Sequence, residues 1–209
     1  MRGRLLLLRL HACKLSALLG LGLAACGEDE LQPQDAFGPY ADRLVDFVPG
    51  AFAGFGRDEL PDVVLGPPGG TFDVLSLGVG GSVTVGFDFE IVDEPGPDFV
   101  VFENAFLIDG GPLSFSEPGR VEVSLDGESF ASFSCTPEAP FIGCAGVTPT
   151  GDATLDALDP MSAGGDAFDL AVLGLEAIRY VRLVDNSTTG EGITAGFDLD
   201  AVGAFHRRD

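Results

Sequence analysis

From residue 41 onwards, glycine, proline and aspartate interrupt the chain so often that apolar residues occur only in short runs. The 209 residues include 30 glycines and 14 prolines. Both residues disfavour helix and strand interiors, whereas the valines, isoleucines and phenylalanines between them favour extended structure. The pattern predicts an all-β fold, an antiparallel sandwich of short strands, with one short helix at 167–177. The expected strands are Arg43–Val48, Asp62–Leu65, Val74–Leu77, Ser82–Phe87, Asp98–Phe102, Arg120–Leu125, Phe130–Cys135, Tyr180–Val184 and Phe197–Phe205.

One segment predicts a hairpin by itself. Residues 121–125 (VEVSL) alternate between apolar and polar side chains, which places the apolar ones on one face of a strand. Asp126-Gly127 follows, and this dipeptide is typical of tight hairpin turns. A second strand is expected to begin at Phe130, so two antiparallel neighbours can be assigned without any other part of the chain.

The first 25 residues have the composition of an export signal. Arg2, Arg4, Arg9 and Lys14 precede an apolar stretch that is too short to span a bilayer. Residues 23–26 (LAAC) resemble the lipobox of bacterial lipoproteins, in which the cysteine becomes the acylated first residue of the mature protein. The resemblance implies lipidation at Cys26. The acidic, proline-containing residues after it predict a tether at 26–40, and the strand-rich remainder predicts a folded domain at 41–209. The alternative is an ordinary secretory signal that is cut near residue 25.

The mature chain is strongly acidic. Removing residues 1–25 takes away four of the eleven Lys and Arg residues and none of the 33 acids, which leaves a formal charge of −26. Such a surface repels nucleic acid and anionic lipid, so we expect no nucleic-acid partner and contact with the membrane only through the lipid anchor. Gly27 follows the cysteine, where an aspartate often retains such lipoproteins at the inner membrane. We therefore expect the outer membrane or cell surface after export.

Two further cysteines, Cys135 and Cys144, are separated by eight residues that include Pro140 and Gly143. In an exported protein this spacing predicts a disulfide that closes a turn. The alternative is a pair of free buried thiols.

Five segments, in order, resemble the galactose-binding-like sandwiches, the superfamily that contains discoidin domains and family-32 carbohydrate modules. The hairpin at 121–133 resembles their VEVSxDGxxW hairpin, with Phe130 in place of the tryptophan. The segment at 177–185 (AIRYVRLVD) is similar to their ARYVRI strand. The last strand, Phe197–Phe205, is in the place of their final strand. The loop at 62–68 and the strand at 80–88 resemble their early loop and first core strand. The resemblance implies a jelly-roll β-sandwich.

Calcium is the cofactor that this acidic chain favours, because hard cations take six to eight oxygen ligands. Many domains of the superfamily hold one structural calcium between an early loop and an acid of the last strand. The alternative is an acidic surface that is simply solvated. Side chains alternate between the two faces of a strand, so Asp98 and Glu103, five residues apart, would point to opposite faces. They can coordinate one ion only if their strand ends early. The expected ligands are Asp200 with Asp58 and Asp62, and, as a second set, Asp98, Glu103 and Asn104.

We expect no catalysis, because the chain lacks the GxSxG, HExxH and phosphate-loop motifs and its mature part has one histidine, His206. Residues 93–106 are similar to a motif of uncharacterised bacterial cell-surface proteins. We therefore expect a non-catalytic surface lipoprotein that binds a glycan, an envelope polymer or a surface protein. The alternatives are a purely structural or protein-interaction module and a small glycan hydrolase that uses two carboxylates.

Overall fold

The structure is a computed structural model, and the strands are its main elements. It describes residues 37–70, 72–103, 106–107, 114–136, 138–154, 157–188 and 190–209. The predicted signal peptide, Cys26, most of the expected tether and Asn104 therefore lie outside the described residues. The strands, in chain order, are β1 (Arg43–Val48), β2 (Leu75–Ser76), β3 (Ser82–Val92), β4 (Phe99–Glu103), β5 (Phe106–Leu107), β6 (Ser114–Phe115), β7 (Gly119–Ser124), β8 (Ala131–Ser132), β9 (Ala153–Thr154), β10 (Ala157–Leu158), β11 (Asp166–Phe168), β12 (Ala177–Asp185), β13 (Asp198–Ala204) and β14 (Arg207–Arg208).

Two antiparallel sheets carry the fold. Six strands form one sheet in the order β1-β3-β12-β7-β8, with β14 also paired to β3, and four form the other in the order β11-β4-β13-β2. The remaining strands form two small hairpins, β5 with β6 and β9 with β10. The all-β sandwich predicted from the sequence is confirmed, while its jelly-roll assignment remains a prediction.

The main core lies between the two sheets. Alternate side chains of β3, β7 and β12 meet those of β4 and β13 there, as period-2 strands with one buried face should. The four-stranded sheet is buried on its other face as well, where Tyr40, Val100 and Phe102 form a second cluster. Burial on both faces explains why residues 99–102 (FVVF) are apolar without alternation.

The domain begins before residue 41. Phe37 packs against the main core and Tyr40 is fully buried, although both lie within the tether expected at 26–40. The Tyr40 hydroxyl donates a hydrogen bond to the Thr154 carbonyl at 2.9 Å. The end of the assigned tether is thus part of the packed sandwich.

Two expected elements are wrong. Residues 62–65 do not form a strand: Asp62–Val64 is a 3-10 turn, and a second one, Arg57–Glu59, precedes it. The helix expected at 167–177 is replaced by β11 and a single 3-10 turn, Leu170–Leu173. That turn cannot extend, because Gly174 takes a left-handed conformation (φ 66°) directly after it. No helix in the described part of the chain is long and apolar enough to cross a membrane.

Candidate functional site

Two groups of three acidic residues lie at opposite ends of β4. In each group, one carboxylate oxygen from every member lies within 4.8 Å of the others. Asp98 immediately precedes the strand and Glu103 is its last residue, so the two acids cannot share one ion, as the strand geometry predicted. We call the groups the upper cluster (Glu103, Glu117 and Asp198) and the lower cluster (Asp93, Asp98 and Asp169).

Strand register builds the upper cluster. Glu103 pairs with Leu199, which places it beside Asp198 at the start of β13. Asp198 in turn pairs with Ser76 of β2. Glu117 arrives from the segment that leads into β7, a strand of the other sheet. The cluster therefore joins carboxylates from both layers of the sandwich.

The upper cluster is largely removed from water. Glu103 is 2% exposed and Asp198 is 6% exposed, while Glu117 is half-buried. The Ser76 hydroxyl donates a short hydrogen bond to Asp198, and the Gly196 amide donates one to Glu117. Burial raises the pKa of Glu117 to about 7, with a further contribution from the charges of Asp198 and Asp185. Burial likewise raises the pKa of Asp198 to about 6.

Asp185, the last residue of β12, binds backbone amides beside this cluster. Its carboxylate accepts hydrogen bonds from the backbone amides of Gly80, Ser187 and Phe197 and from the Ser187 hydroxyl. Gly196 is required here, because a Cβ at that position would lie 2.9 Å from the Asp185 Oδ1 atom. Asp185 therefore orders the loop that presents Asp198, and its negative charge adds to the field of the cluster.

The lower cluster ties loops to the start of β4. Asp98 is fully buried and accepts hydrogen bonds from the backbone amides of Glu94 at 2.9 Å and Leu170 at 2.7 Å. Burial raises the pKa of Asp98, and those two hydrogen bonds partly offset the effect. Asp169 uses one oxygen to cap the following 3-10 turn through the Ala171 amide. These contacts with backbone amides give Asp98 and Asp169 a structural role.

The expected set of Asp58, Asp62 and Asp200 belongs to neither cluster. Asp58 and Asp62 are exposed on the two 3-10 turns. Asp200 accepts hydrogen bonds from the amides of Gly69 at 2.8 Å and Gly70 at 3.4 Å, and burial raises its pKa to about 6. Its role as a calcium ligand remains a prediction.

A bulge explains where Asp200 points. Leu199 pairs with Glu103 but Ala201 pairs with Phe102, so Asp200 is the extra residue on β13. A bulged residue leaves the regular alternation of its strand and can be directed elsewhere. Asp198 consequently reaches the upper cluster while Asp200 faces the glycine-rich turn.

Sequence reasoning missed Asp198 and Glu117. Asp198 stands in the same FDLD segment as Asp200, and the resemblance favoured the second acid over the first. Glu117 lies in the short SEPG segment before β7, which carries no pattern of its own. A residue of this kind can be found only once the two sheets are placed together.

Several arginines pair with acids that lie outside the two clusters. Ion pairs of the described residues join arginines to Asp42, Glu90 and Glu122. Arg182 also lies 3.6 Å from the centre of the Phe130 ring, where the resembled hairpin has tryptophan.

The predicted disulfide is present. The Cys135 and Cys144 sulfur atoms are 2.07 Å apart. The loop they close packs beside β7, where Gly119 and Ala145 exchange backbone hydrogen bonds.

Comparison of the chain with protein-family models and with curated proteins found no match.

Proposed function

We propose that this protein is a non-catalytic, lipid-anchored surface module whose sandwich is stabilised by a calcium ion at the upper cluster. The observation that carries the calcium proposal is the convergence of Glu103, Glu117 and Asp198, with oxygens within 4.8 Å and two of the three side chains buried. Buried carboxylates that face one another are unfavourable when ionised unless a cation offsets their repulsion. A divalent cation supplies that offset.

Calcium suits the cluster better than magnesium does. Calcium accepts irregular cages of carboxylate, hydroxyl and carbonyl oxygens, whereas magnesium requires a tight octahedron and keeps several waters. The cluster gathers its acids from β4, β13 and the segment before β7, an arrangement without octahedral order. An ion here would link both sheets and stabilise the folded state only.

The surface role rests on the export signal, the lipobox-like residues and the strongly acidic mature chain. The absence of the motifs named above favours binding over catalysis. A glycan or an envelope polymer is the expected ligand class, from the resemblance to carbohydrate modules. A glycan array probed with the full chain, with and without calcium, tests that part of the proposal directly.

Thermal unfolding of the full chain in detergent tests the calcium site. A ligand at a hundred times its Kd stabilises the native state by about 2.7 kcal/mol. For a domain of this size that corresponds to a rise of roughly 5–10 °C in melting temperature. We expect millimolar calcium to give this rise, magnesium to give much less, and Glu117→Gln to remove most of the difference.

Matched variants make the test specific. Glu128→Gln removes the same charge from an exposed turn and should keep the full calcium effect. Asp200→Asn tests the ligand set expected from the resemblance. If calcium binds at the upper cluster, this variant should also keep the full calcium effect on the melting temperature. If sodium chloride at equal ionic strength reproduces the rise, or if Glu117→Gln responds like the unaltered chain, the upper cluster is not a calcium site.

A further inference from the structure

A cleft opens at the side of the sandwich, between the edge strands of the two sheets. β8 is the last strand of the six-stranded sheet and β11 is the last strand of the four-stranded one. The cleft between them encloses about 400 Å³, and the disulfide loop with Cys144 forms part of its wall. This volume suits a small molecule or a single side chain.

Two phenylalanine rings line the cleft. Phe133 and Phe168 lie with their ring centres 5.0 Å apart and their planes inclined at 59°. Phe99 stacks on Phe168 from the core side, with ring centres 5.3 Å apart, and so fixes its position. Phe133 and Phe168 both belong to the main core and are only 6% exposed, so they form a rigid and largely buried apolar wall, whereas the rim carries Val172, which is 73% exposed.

The charge of the cleft is negative. Asp166 lies two residues before Phe168 in β11, so both side chains leave the same face of the strand. Its Oδ2 atom accepts hydrogen bonds from the amides of Val147 at 2.9 Å and Thr148 at 3.3 Å. Asp169 also lines the cleft, and none of its described lining residues is Lys, Arg or His. Burial raises the pKa of Asp166, a cost that a neighbouring cation would reduce.

We infer that this cleft binds an organic cation, an ammonium group carried on an apolar body. A carboxylate at hydrogen-bond range gives an ammonium group a charge-assisted contact, and an apolar wall beside it favours an apolar body on the same molecule. The rings of Phe133 and Phe168 would contact the apolar body while Asp166 pairs with the head. The mature chain contains no lysine, so such a group comes from another molecule. The site depends neither on calcium nor on the lipid anchor.

The probe for this site is benzylammonium, with benzyl alcohol and benzoate as neutral and anionic analogues. Binding is measured by NMR shifts on the full chain in non-ionic detergent with a chelator, which removes any calcium effect. We expect saturable binding of benzylammonium with shifts confined to the cleft, at least about tenfold weaker binding of benzyl alcohol, and none of benzoate.

Two variants locate the binding. Asp166→Asn keeps an oxygen that can accept the Val147 and Thr148 amides but removes the charge, and should weaken benzylammonium about tenfold. Val172→Lys places a competing ammonium at an exposed rim position, and should abolish binding without unfolding the domain. Val45→Lys makes the same change at an exposed site on β1 and should bind normally. The inference is overturned if no saturable binding occurs, if benzyl alcohol binds equally well, or if Val172→Lys binds like Val45→Lys.

Discussion

Removal of the Asp198 charge should make the calcium-free protein more stable at neutral pH. The pKa of Asp198 is raised from its ordinary value of 3.8 to about 6 in the folded state. The folded protein therefore holds this proton more tightly than the unfolded chain does. The stabilisation from protonated Asp198 is fully present below about pH 4 and is lost as the pH rises through about 6.

The size of the effect follows from the shift. A change of about two pKa units at about 1.4 kcal/mol each gives about 3 kcal/mol between acidic and neutral pH. Asp198 is only 6% exposed, so solvent screens this cost little. Glu117 acts in the same direction up to its pKa of about 7. Asp198→Asn keeps the acceptor for the Ser76 hydroxyl and removes the ionisation.

The assay is urea unfolding of the full chain between about pH 4 and pH 8 in the presence of a chelator. The gain of Asp198→Asn over the unaltered protein should grow from near zero at about pH 4 to at most about 3 kcal/mol at about pH 7.5. The exposed Glu128→Gln variant corrects for the change in net charge. Parallel pH profiles for Asp198→Asn and the unaltered chain would refute the reasoning, because ionisation of Asp198 would then carry no cost. Added calcium should reverse the order of the two proteins.

Three other changes have expected outcomes. Cys26→Ser should move the protein from the membrane to the soluble fraction, and a variant that still fractionates with the envelope would show that the anchor lies elsewhere. Replacing Cys135 and Cys144 together by serine should lower the free energy of unfolding by about 2–3 kcal/mol relative to the oxidised native chain, measured by denaturant titration, and the reduced native chain should match the variant. Asp98→Ala should lower it by about 2–4 kcal/mol, because it leaves the buried Leu170 amide and the Glu94 amide without their acceptor. A loss below about 0.5 kcal/mol would mean that water replaces the carboxylate.

Local sequence patterns were enough to predict the features that depend on residues close together in the sequence. β1 occupies the predicted residues 43–48, and the alternation at 121–125 with its Asp-Gly turn gave the β7–β8 pairing. The short cysteine spacing likewise predicted the disulfide that is present. Period-2 burial, turn chemistry and short loop closure are all set within a few residues, so they can be inferred without the fold.

Other features depended on contacts between distant segments. An apolar run at 167–177 is compatible with a helix, but Asp98 accepts the Leu170 amide from 72 residues away and Gly174 ends the turn. The choice between Asp198 and Asp200 was decided by a one-residue bulge opposite β4.

The sequence by itself determined a strongly acidic chain that folds into an antiparallel β-sandwich with a disulfide loop, and it predicts export. The tertiary structure decided which acids meet, and it brought Glu117 of one layer to Glu103 and Asp198 of the other. It also placed Asp166 and two phenylalanines around one cleft between the edges of the sheets. The physical reason is that composition and alternation specify how much charge and apolar surface a strand carries, whereas register, bulges and the packing of two sheets specify where each side chain ends up.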